Sequence, residues 1–318
     1  MNVPKSVERE VRGKIMRTDV FVRLVSGTHN DSAMNRDLDD AFSMFRDTER
    51  RFSRFRPDSE LSRFNGTTGF RVTTEFRDLL SESVACHLET DGLFDPSILP
   101  DLESLGYAGS FGSDTFGTPS ESSVNPHVPF SSLTIDLKTG EVRKPKELRI
   151  DLGGIAKGYA VDRVAKMLRE RGYVDFFIDA GGDMYAAGRN VEEGYPYWVI
   201  GIAMPDDLPE PMLLVRDRAV ATSGTDRRRW MTGSVIHHHL IDPRTGRSAE
   251  TDLRSVTVLS ETTTRAEVIA KALCILGRER ARFFAEERGI PTFLVSETGE
   301  TVYTDTMKQY LYETPKSV

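Results

Sequence analysis

The chain has 318 residues, enough for one large domain or two smaller ones with a substantial core. Hydrophobic residues make up 38% and charged residues 29%, which excludes a disordered chain, and a formal net charge of −7 excludes a general nucleic-acid binder, whose affinity needs a concentrated basic surface. No run approaches the roughly twenty consecutive apolar residues of a membrane-spanning helix, and Met1 to Arg23 carries Lys5, Glu8, Arg9 and Glu10 in place of an apolar signal core, so a cytoplasmic protein, or one made in the cytoplasm without its own membrane anchor, is expected.

Along the chain, Val20, Val22 and Leu24 alternate with Asp19, Phe21 and Arg23, and predict a first strand over 11–25. Leu38, Ala41, Phe42, Met44, Phe45 and Phe52 recur at helical spacing and predict a helix over 37–55 whose aromatic face is core. A polar loop through Pro57 leads to a short helix near Asn65, and a second helix is expected over 74–90. Asp91-Gly92-Leu93-Phe94-Asp95-Pro96-Ser97 is a turn in which Asp95 caps the next element. Residues 108–131, rich in Gly, Ser, Pro and Thr, are expected to form an insertion. Strands are predicted over 133–143, 147–151, 174–180, 184–188, 197–203, 212–216, 255–260 and 291–296, with helices over 151–172 and 264–287. Cys86 and Cys274 lie in apolar helical surroundings and are expected as buried thiols, not as a disulfide. This irregular interleaving predicts an α+β architecture with a mixed sheet rather than a doubly wound one. No repeat or break in composition divides it, so 1–318 is read as one domain.

The most informative stretch is Asp151-Leu152-Gly153-Gly154-Ile155-Ala156-Lys157-Gly158-Tyr159-Ala160-Val161-Asp162, a glycine-rich turn running into an amphipathic helix. A helix start leaves backbone N–H groups without partners, and their summed dipole favours phosphate oxygens placed ahead of it. Taken alone, Asp151 also reads as a helix cap and Lys157 as a solvated lysine. Two further glycine turns, 179–183 and 222–225, precede His237-His238-His239-Leu240-Ile241-Asp242-Pro243-Arg244-Thr245-Gly246. Neighbours in a strand point to opposite faces, so only His237 and His239 would share a side, too few for a closed zinc site.

Together these segments resemble the ApbE family of FAD:protein FMN transferases from about Gly13 to Gly277. The resemblance implies an ApbE/T-fold-like arrangement of mixed sheets flanked by helices. It implies binding of FAD and transfer of its FMN half, through a phosphoester, to a Ser or Thr hydroxyl of an acceptor protein with release of AMP. Some members instead hydrolyse FAD to FMN and AMP. By position, Met16 and Phe55 match walls of the flavin and adenine pockets, and Asp95, Pro96 and Ser97 match a turn against the nucleotide. Asp151, Lys157 and Ile241 match nucleotide contacts, and His239, with Lys157, matches the catalytic pair, the histidine as general base. A magnesium ion is implied at Gly154, Glu267, Ala270 and Lys271.

At that last site the sequence departs from its family. An aspartate and a threonine four residues apart are replaced by Glu267 and Lys271. Magnesium takes oxygen ligands, and an ammonium offers none. Either the two residues form an ordinary i,i+4 ion pair, or Lys271 takes the cation's place with Glu267 orienting it. Loss of the ion leaves a third possibility, a protein that binds FAD without turning it over. Arg17, where the family has glycine, either reaches a phosphate or fills the pocket mouth, and Arg227-Arg228-Arg229 reads as a solvated cluster.

Overall fold

The first expected strand is in fact two. Val7–Ile15 and Thr18–Ser26 pair antiparallel and reverse at Met16 and Arg17, which both adopt positive φ, 54° and 59°. Tight hairpins favour this left-handed backbone because its twist matches the strands, but glycine or asparagine usually supplies it. The computed structural model describes residues 7–107, 128–190, 194–205, 208–226, 229–232 and 235–312. Most of the expected 108–131 insertion lies outside them, as do Arg227 and Arg228; Phe130–Ser132 forms a 3-10 turn.

An eight-stranded sheet carries the fold, with neighbours in the order Val7–Ile15, Thr18–Ser26, Asp175–Ala180, Asp183–Ala187, Arg218–Gly224, Leu253–Ser260, Thr292–Ser296 and Thr301–Tyr303. Each adjacent pair is antiparallel. The α+β class expected from the sequence therefore stands, in an antiparallel form. Alternation along the strands sends Val20, Val22, Ile178, Ala221 and Val256 to one face, where they meet helices. Those helices are α1 (Asp31–Phe52), capped by the Asn30 side chain, α5 (Ala156–Glu170) and α6 (Thr263–Leu276). The other face holds Ala186, Val220 and Val295 against the hairpin Trp198–Gly201 and Met212–Val215.

A second cluster gathers Phe52, the helices α2 (Glu60–Asn65) and α3 (Thr74–Glu89), and the first turn of α5. The short helix α4 (Leu99–Ser104) comes after the Asp95 turn. Residues 133–143 supply only the short strands Thr134–Ile135 and Glu141–Arg143, and 147–151 is not a strand. The Asn65 amide explains the latter, since it donates to the Ile150 carbonyl and accepts the Ile150 N–H, both at 2.9 Å, and so satisfies the groups a strand partner would take. Likewise the helix expected over 264–287 breaks at Gly277, φ 77°, into α6 and α7 (Arg278–Glu287). Cys86 and Cys274 are buried and free.

Sheet register decides where chemistry can gather. Val20 faces Ala180 and Asp183 faces Ala221, so the Met16–Arg17 turn, the Gly181–Gly182 turn and Gly224 come to one end of the sheet. The loops entering and leaving the second cluster arrive at the same end.

Candidate active site

Between the two clusters run two adjoining clefts of about 750 and 710 Å³ including their open mouths. They share Arg54, Phe55, Tyr107, Asp151 and Gly153. The first continues past Asp95, Gly154, His239, Ile241 and Lys271, and the second past Met16, Arg17 and Lys157. A smaller inner pocket, also touching Gly153, is bounded by Lys157, Asp183, His239, Glu267 and Lys271. Thus Met16, Phe55, Asp95, Asp151, Gly154, Lys157, His239, Ile241, Glu267 and Lys271 converge from segments spread over 256 positions of the chain. Three expected residues stand behind the wall. Ser97 is buried and donates its N–H and hydroxyl to Asp95 Oδ1 at 2.7 and 2.5 Å, Pro96 accepts the Asp151 N–H at 2.8 Å, and Ala270 is wholly buried in the core.

The inner pocket is built by helix packing. The half-buried Asp162 on α5 caps α6, accepting the N–H groups of Thr263 and Thr264 at 2.7 and 2.8 Å and the Thr264 hydroxyl at 2.6 Å. Its pKa is raised because burial outweighs those hydrogen bonds. Gly158 lets the two helices touch, since a Cβ there would lie 2.7 Å from backbone atoms of Thr263 and Thr264. So fixed, α6 directs Glu267, with zero exposure, at the start of α5. Glu267 Oε2 accepts the Gly158 N–H at 2.8 Å, one of the orphan donors of the first turn, and Oε1 accepts Lys157 Nζ at 3.0 Å and Lys271 Nζ at 2.9 Å. Lys157 also contacts the buried Asp183 carboxylate. Burial raises the Glu267 pKa, but Lys157, Lys271 and the Gly158 N–H outweigh it and hold the carboxyl well below its usual range. The i,i+4 pair expected as one reading does form, but as part of a three-way junction with Lys157 in which Glu267 is fully buried.

On the outer wall, Arg54 is the residue that sequence reasoning missed. Its guanidinium lies 4.2 Å from the Phe55 ring centroid and 5.0 Å from that of Tyr107, donates to the Tyr107 carbonyl at 2.8 Å, and stands 3.5 Å from Asp151 Oδ1. Tyr107 stacks on Trp230 at 5.0 Å, and Trp230 faces His237. Arg17 reaches the mouth, its guanidinium 5.9 Å from the Phe55 ring. The strand Val235–His238 ends before His239, which leaves the ladder and turns to the cleft instead of sharing a strand face with His237. His238 meets the Ala249 carbonyl through Nε2 at 3.0 Å, and burial lowers its pKa. Replacing Arg54 by alanine is expected to lower the unfolding free energy by about 1.5–3 kcal/mol in urea denaturation, the scale of a charged hydrogen bond with its stacking. A loss under about 0.5 kcal/mol would show that the wall stands without it.

The octahedral oxygen set of magnesium is not what these residues offer. Both Glu267 oxygens are engaged by N–H donors, and the side chain at 271 ends in an ammonium with no lone pair to give a metal.

A family model described as the ApbE family matches residues 16–294. The chain belongs to the ApbE family. A relative from Vibrio cholerae named FAD:protein FMN transferase is 33% identical over 259 residues, 78% of this chain and 75% of its own length. One of the same name from Haemophilus influenzae is 27% identical, over 90% and 86%. The flavin transferase ApbE of V. cholerae superposes with a TM-score of 0.82 at 27% identity, and the ApbE protein of Thermotoga maritima with 0.86 at 27%, each covering 96% of this chain and all of the other. This ApbE chain has, among its described residues, no helix long and apolar enough to cross a membrane.

Proposed function

We propose that this ApbE chain binds FAD in the joined clefts and transfers its FMN moiety to a Ser or Thr hydroxyl of an acceptor protein, releasing AMP. One observation carries the reading: ten residues expected at a flavin-nucleotide site from scattered motifs line a single contiguous cleft whose inner end holds two ammoniums. The names of the relatives support it. Because that cleft is walled by both hydrophobic clusters, we read residues 1–318 as one functional unit.

Phe55, Tyr107, Ile241 and Met16 offer apolar and aromatic faces for the two ring systems, with the Arg54 guanidinium fixing the aromatic pair. The glycine turn brings the start of α5, Lys157 and Lys271 to the pyrophosphate. His239 accepts the proton of the acceptor hydroxyl as its oxygen attacks the FMN phosphorus; the phosphoanhydride bond breaks, and AMP departs with the bridging oxygen. Phosphoryl transfer asks the protein for alignment and charge neutralisation more than for covalent help, and no step here runs through magnesium.

The test incubates the chain with FAD and an acceptor protein and measures AMP and acceptor mass. AMP with an acceptor heavier by one FMN supports transfer. AMP alone points to hydrolysis, and neither product overturns the catalytic reading. His239→Asn is expected to cut AMP release by about 100-fold or more with FAD affinity within about threefold of wild type, and an unchanged rate would remove the histidine from the base role.

A further inference from the structure

We propose that the FAD pyrophosphate is bound here without a divalent ion, the Lys271 ammonium serving as a built-in cation and Glu267 as the counter-ion that fixes it beside Lys157. The inference rests on the flavin reading above and concerns how that same site neutralises charge.

Three features place the ammonium. Its side chain runs over the glycine turn, where Cδ and Cε lie 3.5 Å from the position a Gly154 Cβ would take, so the turn leaves a channel for the stem. Its Nζ is held 2.9 Å from Glu267 Oε1. It lines both the outer cleft, with Asp95 and His239, and the inner pocket, with Lys157, and so stands at their junction. Within hydrogen-bonding distance of the same oxygen, a divalent ion and an ammonium exclude each other by volume and by charge.

The arrangement also explains why glutamate and lysine occur together. A buried carboxylate tolerates its desolvation only with close counter-charges, and Glu267 has two ammoniums and a backbone N–H. Lys157 is shared between Glu267 and Asp183, so the formal charge of Lys157, Lys271, Glu267 and Asp183 is zero. A carboxylate carrying magnesium would leave one positive charge more. The built-in cation therefore holds the diphosphate permanently in place but neutralises less of the charge that develops on the departing AMP. FAD binding becomes independent of metal, and turnover is the step that suffers.

FAD affinity, read by flavin fluorescence with EDTA and then with excess magnesium, tests this. The expected dissociation constants agree within about threefold; binding at least tenfold weaker in EDTA overturns the inference and leaves the flavin reading intact. No FAD binding in either buffer overturns the flavin reading and the inference with it. Lys271→Met keeps the aliphatic stem over Gly154 and is expected to weaken FAD binding in EDTA by about tenfold or more; unchanged affinity overturns the proposal. Titration with manganese alone, monitored by its electron paramagnetic resonance signal, is expected to show no stoichiometric site in the wild type. The double variant Glu267→Asp, Lys271→Thr is expected to gain one. A stoichiometric site in the wild type overturns the inference even if the double variant does not fold.

Discussion

Glu267→Ala is expected to lower the unfolding free energy at pH 7 by about 3–5 kcal/mol, the cost of leaving buried charge without its partner. Two ammoniums and the Gly158 N–H lose their common acceptor at once, and Glu267 itself sits at a point that solvent does not reach. At about 1.5 °C per kcal/mol for a chain of this length, the melting temperature should drop by about 5–8 °C. Glu267→Gln preserves volume and one acceptor, so it isolates the charge. A carboxyl whose folded pKa lies below its unfolded value stabilises the fold at pH above the unfolded value, and that contribution is lost as pH falls through the folded pKa. Because the two lysines hold Glu267 well below an ordinary glutamate near 4.3, the gap between wild type and Glu267→Gln should be widest at neutral pH and close between about pH 4 and 2. Equilibrium denaturation at a series of pH values reads both effects. A Glu267→Ala protein within 1 kcal/mol of wild type, or a glutamine gap that ignores pH, would mean that the junction carries no net stabilisation.

How far the sequence could be read depended on whether a residue's role was local. The turn holding Asp151, Gly154 and Lys157 stood out because a glycine-rich turn before an amphipathic helix favours anions, but the roles given to the three residues came from the family resemblance. Arg54 was not, because it sits among Arg51, Arg56 and Arg63 in a polar stretch, and only the approach of Phe55 and Tyr107 makes its guanidinium part of a wall. Asp183 was hidden for a related reason: directly after Gly181-Gly182 it looks like turn chemistry, yet it opens a central strand and meets Lys157. The reversal at Met16–Arg17 carries no glycine or asparagine to announce it. Arg218–Gly224 was read only as a glycine turn at its end, although Gly224 is where the strand passes so close to the Arg254 carbonyl that a Cβ would lie 2.7 Å from it. Its small residues alternate between two buried faces and give little periodic contrast. Helix positions were plainer, since α3 was placed to within a residue, whereas Gly277 split the last long helix through a backbone angle that apolar spacing does not encode.

Gly158→Ala should do more damage than a methyl group suggests. Its Cβ would fall 2.7 Å from Thr263 C, Thr263 O and Thr264 N, all backbone atoms that no rotamer change can move aside. Restoring ordinary contact at roughly 3.5 Å requires α6 to withdraw from α5. Asp162 opposes that movement, because its hydrogen bonds to Thr263 and Thr264 are made across the same gap, as is the Gly158 N–H bond to Glu267. Overpacking alone costs about 1–3 kcal/mol, and stretching the Asp162 cap adds about 1–2 kcal/mol more. The expected outcome is a loss of about 3 kcal/mol or more in denaturant unfolding, together with FAD binding weakened by at least tenfold, because Lys157 rides on α5 while Glu267 and Lys271 ride on α6. Gly153→Ala is the matched control: there the nearest atom is the Asp151 carboxylate oxygen at 3.1 Å, the end of a side chain that can turn away, so stability should change by less than about 1 kcal/mol. If Gly158→Ala matched that control in stability and bound FAD as tightly as wild type, the close approach of the two helices would not be what sets the pair of ammoniums.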